Sequence, residues 1–173
     1  MESNMEEGFR IIATGGTFDK LYDEIRGELT FKESHLPRIL RQCRISDPVS
    51  LEIPLSVDSL LMNEDQRLAI AQCCMKSPQR RIIVVHGTDT MVRTANVVAQ
   101  CDAPKDHVIV FTGAMVPYSL ENSDAVFNLG CAFASSQLLP NGVYIAMSGR
   151  IFRYDQVEKN RTIGVFEGPS IRS

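Results

Sequence analysis

What this sequence lacks narrows its function before any motif is weighed. It has no patterned cysteine. The five thiols, Cys43, Cys73, Cys74, Cys101 and Cys131, form an odd set with no CxxC pair and no histidine at zinc spacing. That excludes a disulfide framework and a zinc module, and leaves reduced core or surface thiols. No stretch approaches the ~20 apolar residues that a membrane helix needs. Neither sign of charge dominates, since 18 basic and 21 acidic residues are spread along the chain for a net charge of -3. There is accordingly no basic stripe for nucleic acid and no polybasic membrane patch. The start, Met1 to Gly8, is acidic and polar, with no apolar run behind a basic segment. It is expected to be a flexible terminus rather than a secretory or transit peptide, and the protein is expected in the cytoplasm. No repeat and no low-complexity segment appears, and the partner class left is a small molecule.

What is present is a core-forming chain of 173 residues, 44% of them hydrophobic, a size at which roughly 70% of the unfolded surface is buried. The expectation is one domain over residues 9–173. Apolar, β-branched runs alternate with helical periodicities. Candidate strands lie at Ile11 to Ala13, Val49 to Leu55, Ile82 to Val85, His107 to Phe111 and Gly142 to Met147. Between them, Leu36, Ile39 and Leu40 fall at helical spacing in the segment Glu33 to Cys43. Asn63, with Gln66 three residues on, forms a capping-box pattern ahead of Leu68, Ile70, Ala71 and Cys74. Thr88 or Asp89 can cap a helix facing the sheet through Met91, Ala95, Val98 and Ala99. Ser123 or Asp124 opens another through Ala125, Leu129, Ala132 and Phe133. This alternation predicts a doubly wound, mostly parallel α/β sheet of flavodoxin-like or Rossmann-like kind, with helices on both faces. Asp19 to Thr30 has no clear period and is read as a loop acting as a lid, and Arg150 to Tyr154 as the start of a hairpin.

An open α/β sheet binds its ligand beyond the carboxyl ends of its strands, and the polar residues of this chain gather there. The first strand breaks into Thr14-Gly15-Gly16-Thr17, and the strand at 82–85 runs into His86-Gly87-Thr88-Asp89-Thr90. Two further strands end in Ser56-Val57-Asp58-Ser59 and Thr112-Gly113-Ala114-Met115. The Gly-Gly turn lacks the third glycine of a dinucleotide fingerprint and the lysine of a phosphate loop, which argues against a nucleotide. Taken alone, it is as readily a tight turn that uses glycine for its geometry. The combination says more, because Thr17, Thr88, Asp89 and Lys159 supply two hydroxyls, a carboxylate and an amine. A hydroxyl is a weak nucleophile until a partner removes its proton, and an amine held near an acid is a suitable activator. His86 follows a buried strand and is assigned to structural hydrogen bonding rather than base catalysis. No cofactor and no metal is called for.

Thr14-Gly15-Gly16-Thr17 and His86-Gly87-Thr88-Asp89-Thr90-Met91 resemble the two signatures of the bacterial-type L-asparaginases and glutaminase-asparaginases. Thr112 to Pro117, Asn122 to Leu129 and the Lys159-Asn160 step follow in family order, so that Phe9 to Phe166 is similar to the amino-terminal domain of that family. The resemblance implies hydrolysis of L-asparagine to L-aspartate and ammonia, with Thr17 as nucleophile and an acyl-enzyme resolved by water. Thr88 would position or activate that water, Asp89 and Lys159 would complete a Thr-Asp-Lys relay, and Tyr22 would assist the nucleophile. The substrate would lie against Gly16, Asp58, Ser59, Gly87 and Ala114, with Ser59 on the α-carboxylate and Asp89 on the α-amino group. Backbone amides near Gly16 and Thr88 would form the oxyanion hole. Two departures stand out. Nothing after Phe166 resembles the family's second domain, so a partner for Tyr22 would be local, Asp23 or Glu28, or come from another copy in a dimer or higher homo-oligomer. Leu60 and Leu61 stand where long members carry polar residues. A non-catalytic amino-acid-binding module, and an amidase for glutamine or another small amide, remain alternatives.

Overall fold

The central strands are apolar on both sides, and that dictates a sheet covered twice. The computed structural model describes residues 7–101 and 106–169, so the terminus expected to be flexible lies, apart from Glu7 and Gly8, outside the described residues. Strands β1 (Phe9–Ala13), β4 (Val49–Glu52), β5 (Arg81–Val85), β6 (Val108–Thr112) and β7 (Gly142–Met147) are parallel, and β8 (Arg150–Arg153) closes the edge antiparallel to β7. The order is β4-β1-β5-β6-β7-β8. Numbered by appearance, the parallel strands run 2-1-3-4-5. That is the flavodoxin-like order, whose switch point lies between β1 and β5.

Side chains of a strand alternate between faces, and the core divides accordingly. Ile12, Ile82, Val84, Ile109, Phe111 and Ile145 pack with Ile70, Ala71 and Cys74 of α2 (Glu64–Met75) and with Met91, Ala95 and Val98 of α3 (Met91–Gln100). Ile11, Ala13, Ile83, Val85 and Val110 form the other layer with Leu36 and Ile39 of α1 (Leu36–Gln42) and with Ala125, Leu129, Ala132 and Phe133 of α4 (Ala125–Leu138). Helices on both faces of a mostly parallel sheet is the architecture the alternation predicts.

Local details differ from the sequence reading in instructive ways. Asp19 to Thr30 is not an irregular loop but holds most of a two-stranded hairpin, β2 (Lys20–Asp23) against β3 (Glu28–Phe31). Both strands stand off the main sheet and are half-exposed, so no apolar alternation marks them. Asn63 and Gln66 do make a reciprocal capping box. The buried stripe of α2, however, is Arg67, Ile70, Ala71 and Cys74, while Leu68 is 44% exposed. Helix α3 starts two residues later than a Thr88 cap would have it and one later than an Asp89 cap would, with Thr90 at the N-cap and no side-chain cap bond. At α4, Ser123 Oγ accepts from the Ala125 amide at 3.1 Å. The Asp124 carboxylate instead turns back to accept from the amides of Met115 and Val116.

Candidate functional site

The site forms where β1 and β5 diverge. Thr14 donates both its amide and its hydroxyl to the Val85 carbonyl at 3.0 Å, which ties the end of β1 to the end of β5. The Val57 carbonyl accepts from the Gly16 amide at 3.2 Å, and the Val57 amide donates to Thr14 O at 3.1 Å. The junction after β4 thereby joins the same cluster. Gly16 sits at φ 76°, and a Cβ there would fall 2.4 Å from the Gly87 Cα. A Cβ on Gly87 would fall 2.5 Å from Ser59 Oγ. The loops bearing Thr17 and Thr88 are thus stacked backbone against backbone, and the Ser59 side chain rests on Gly87, an approach that glycine permits at those two positions. The two principal junctions do meet.

Lys159 enters this cluster from outside the sheet. It lies on β9 (Glu158–Asn160), which pairs antiparallel with β10 (Val165–Glu167) so that Lys159 is opposite Phe166. Phe166 is buried in the α2/α3 layer, and this fixes the ribbon and aims the lysine inward. Its Nζ donates to Thr88 Oγ1 at 2.7 Å and to Asp89 Oδ1 at 2.8 Å. The lysine side chain is only 9% exposed and the Asp89 side chain 35%. Such charge-assisted bonds are shorter and stronger than neutral ones. Arg161 adds a bond to the Asp89 carbonyl, and Asp89 Oδ2 has no hydrogen-bond partner among the described residues.

Thr17 opens a 3-10 turn, Thr17–Asp19, and is half-buried. Its hydroxyl has no hydrogen-bond partner among the described residues, so it is open to a reacting group. Ser59 is buried at the head of the turn Ser59–Leu61, Ala114 is buried beyond β6, and Leu60 and Leu61 are exposed. Both Asp58 carboxylate oxygens are occupied, Oδ1 by the Leu60 amide at 3.0 Å and Oδ2 by Lys20 Nζ at 2.6 Å. Lys20 also holds the Asp58 carboxyl below the usual carboxylate range. The Gly16 amide is committed to Val57, whereas the Thr88 amide has no acceptor among the described residues. Tyr22 is 58% exposed on β2. It is bonded to neither Asp23 nor Glu28. Asp23 Oδ1 instead accepts from the amides of Ile25 and Arg26 in the hairpin turn.

Two supporting residues escaped the sequence reading. Arg67 is fully buried beneath the site and donates to Met62 O, Thr90 Oγ1 and Thr94 Oγ1. Thr90 in turn donates to the Ser59 carbonyl at 2.8 Å. The signal was the helix stripe itself, because starting the i, i+3, i+4, i+7 count at 67 rather than 68 places a cation on the inner face. Lys20 is the other.

His86 is wholly buried. Its Nδ1 carries the proton and donates to the Gly87 carbonyl at 2.8 Å, while Nε2 has no partner among the described residues. Burial pushes its pKa from 6.5 down to about 4. The folded pKa is the lower one, so the unfolded chain binds the extra proton between those values and stability rises with pH across that window. The contribution is complete above about pH 6.5 and is lost as pH falls towards 4, a difference of about 3 kcal/mol. Urea unfolding at pH 7 and pH 4.5 should show this loss in the wild type and a smaller one in His86→Gln. Equal losses in the two proteins would contradict the assignment.

Among the described residues, no group of three or more His, Cys, Asp or Glu side chains is placed to hold a metal, and no helix is long and apolar enough to cross a membrane.

Fold and site together define an α/β domain that presents a threonine, with a Lys-Thr-Asp cluster beside it, at the switch point of a flavodoxin-like sheet. The family model "Asparaginase, N-terminal" matches residues 9–169, and the chain belongs to that family. It is 25% identical over 159 residues to an L-asparaginase of Thermococcus kodakarensis, covering 90% of this chain and 48% of that protein. It is 30% identical over 168 residues to a glutaminase-asparaginase of Acinetobacter glutaminasificans, covering 88% and 50%. The solved structure of the thermostable L-asparaginase from Thermococcus kodakarensis superposes with a TM-score of 0.83 at 25% identity, over 95% of this chain and 52% of that one. A probable cytoplasmic L-asparaginase from Campylobacter jejuni gives 0.81 at 25% identity, over 94% and 53%. The chain thus spans about half the length of the relatives it matches.

Proposed function

We propose that this chain is a cytoplasmic amidohydrolase that cleaves L-asparagine to L-aspartate and ammonia through a threonine ester. In this reading Thr17 Oγ1 adds to the carbon of the side-chain amide, the C–N bond breaks, and the hydroxyl proton leaves on ammonia. Water then cleaves the aspartyl ester and returns a proton to Thr17. Thr88, held by Lys159, orients that water, and the Thr88 amide faces the developing oxyanion. Ser59 takes the α-carboxylate, and Asp89 Oδ2 takes the α-amino group. Gly16 and Gly87 bring the loops together, and Ala114 walls the pocket. Assembly as a dimer or higher oligomer is part of the same reading, since Leu60 and Leu61, on the turn that begins at Ser59, and Tyr22, on β2, are large apolar side chains left exposed.

The observation that carries the proposal is the nearly buried lysine side chain donating to both Thr88 and Asp89. Lysine is seldom buried unless paired, and a cation held between a hydroxyl and a carboxylate at a strand-end cleft fits a proton-transfer role. Lys159→Met should lower kcat for ammonia release by about 10²-fold, the usual scale for losing a proton-transfer group, with the fold intact by circular dichroism. Unchanged kcat would remove the lysine from the mechanism. Running asparagine and glutamine side by side selects the substrate. Calorimetry that detects aspartate binding without release of ammonia from either amide would make the chain a binding module instead.

A further inference from the structure

Tyr22 must reach the site from a hairpin that has few polar ties to the body of the protein. At its base, Asp19 accepts from Ser34 Oγ and from the His35 amide, and the Phe18 carbonyl accepts from the Tyr118 amide. Beyond Asp19, the hydrogen bonds between the hairpin and the rest of the described residues all converge on one residue. Lys20 accepts from Ser119 Oγ on its carbonyl at 2.8 Å, and its Nζ donates to Asp58 Oδ2 at 2.6 Å. The ammonium also lies 5.6 Å from the Phe31 ring centre, opposite it in the hairpin. From Leu21 to Phe31 no further bond to the body appears among the described residues.

Strand geometry turns this anchor into a direction. Residues i and i+2 of a strand point to the same face, about 7 Å apart, so Lys20 and Tyr22 share a face of β2. The Lys20 side chain runs to Asp58, next to Ser59. The tyrosine is therefore turned to the side of the hairpin that faces the Ser59 loop. Asp58 completes the arrangement because its other oxygen caps the turn that carries Ser59. The two side chains are 19% and 32% exposed, shielded enough for the pair to persist.

We propose that the Lys20–Asp58 ion pair is the device that positions Tyr22 over Thr17, an intrachain latch joining the hairpin to the substrate-binding loop. Both are positioning residues, acting on the reaction through Tyr22 and Ser59. The inference rests on the amidohydrolase reading given above, and its test separates the two.

Lys20→Met, Lys20→Arg and Tyr22→Phe are compared with the wild type, singly and with Lys20→Met combined with Tyr22→Phe. Two readouts are taken: steady-state ammonia release, and the rate of tryptic cleavage after Arg26, which lies exposed at the hairpin tip. The expected result for Lys20→Met is a tenfold lower kcat and a tenfold faster cut after Arg26, both restored by Lys20→Arg. In the Tyr22→Phe background, Lys20→Met should cost less than twofold in kcat, because the group it positions is already gone. A kcat unchanged by Lys20→Met, or a tenfold loss that persists without the tyrosine hydroxyl, overturns the proposal. If the wild type releases no ammonia, the amidohydrolase reading fails, and the cleavage rate alone decides the latch: unaltered protection in Lys20→Met refutes it, and faster cleavage supports it.

Discussion

Thr17→Ala is expected to abolish ammonia release from L-asparagine to within the limit of detection, a fall of at least about 10³-fold in kcat, while folding and aspartate binding persist. Removing a nucleophile commonly costs that much or more, because what remains is only binding and electrostatic stabilisation of the transition state. The structural reason is specific to this turn. Gly15 and Gly16, at φ 95° and 76°, carry the chain off β1 so that Thr17 emerges half-buried beside the Thr88 loop, its hydroxyl without a partner among the described residues. Thr88 does not stand in the same position, since its hydroxyl already accepts from Lys159. Loss of the Thr17 methyl and hydroxyl from a half-exposed position should change stability little. A Thr17→Ala protein that is folded, binds aspartate and still turns over at the wild-type rate would exclude this residue as nucleophile.

Arg67→Ala should be the most damaging substitution outside the site, lowering stability by about 3 kcal/mol. The guanidinium is fully buried, and its removal leaves the Met62 carbonyl and the Thr90 and Thr94 hydroxyls short of a donor around a new void. At this chain length such a loss corresponds to a fall in Tm of about 10 °C. The damage should also reach substrate binding, because Thr90 links Arg67 to the Ser59 carbonyl. KM should rise more than kcat falls in any fraction that remains folded at low temperature. Leu68→Ala, one residue along and 44% exposed, is the control and should shift Tm by no more than a degree or two. Equal Tm for Arg67→Ala and Leu68→Ala would contradict the burial argument.

These two cases show which parts of the molecule could be read from the sequence. The parallel sheet was legible because β5 and β6 are β-branched runs, and fully buried strands need side chains that pack on both faces. The glycine turns were legible because glycines and threonines break off apolar runs at the strand ends, even though Thr14, Thr88 and Thr112 are themselves buried. The β2–β3 hairpin was not, since strands that stand away from the main sheet and bury little leave no alternation to detect. Arg67 was hidden for a different reason: helical periodicity weighs apolar residues, and a cation on the inner face is counted as a break in the stripe. Lys159 lay between these extremes. Its neighbourhood is charged like any surface loop, and the ribbon that turns it inward is anchored by Val157, two residues before it, and by Phe166, six residues beyond Asn160, both buried in the core. Gly16 against Gly87 belongs to a last category, in which the residue type is plain in the sequence but the partner is known only once the chain is folded.

The proposed chemistry stands on an ester at one hydroxyl. The most direct measurement is peptide mapping by mass spectrometry after the protein is mixed with L-asparagine and quenched in acid within a turnover. An aspartyl group on the peptide containing Thr17, absent from Thr17→Ala and present in greater yield in Lys159→Met, where hydrolysis of the ester is slowed, is the predicted result. An acyl group on Thr88, or none on any residue while Thr17→Ala keeps its full rate of ammonia release, would contradict it.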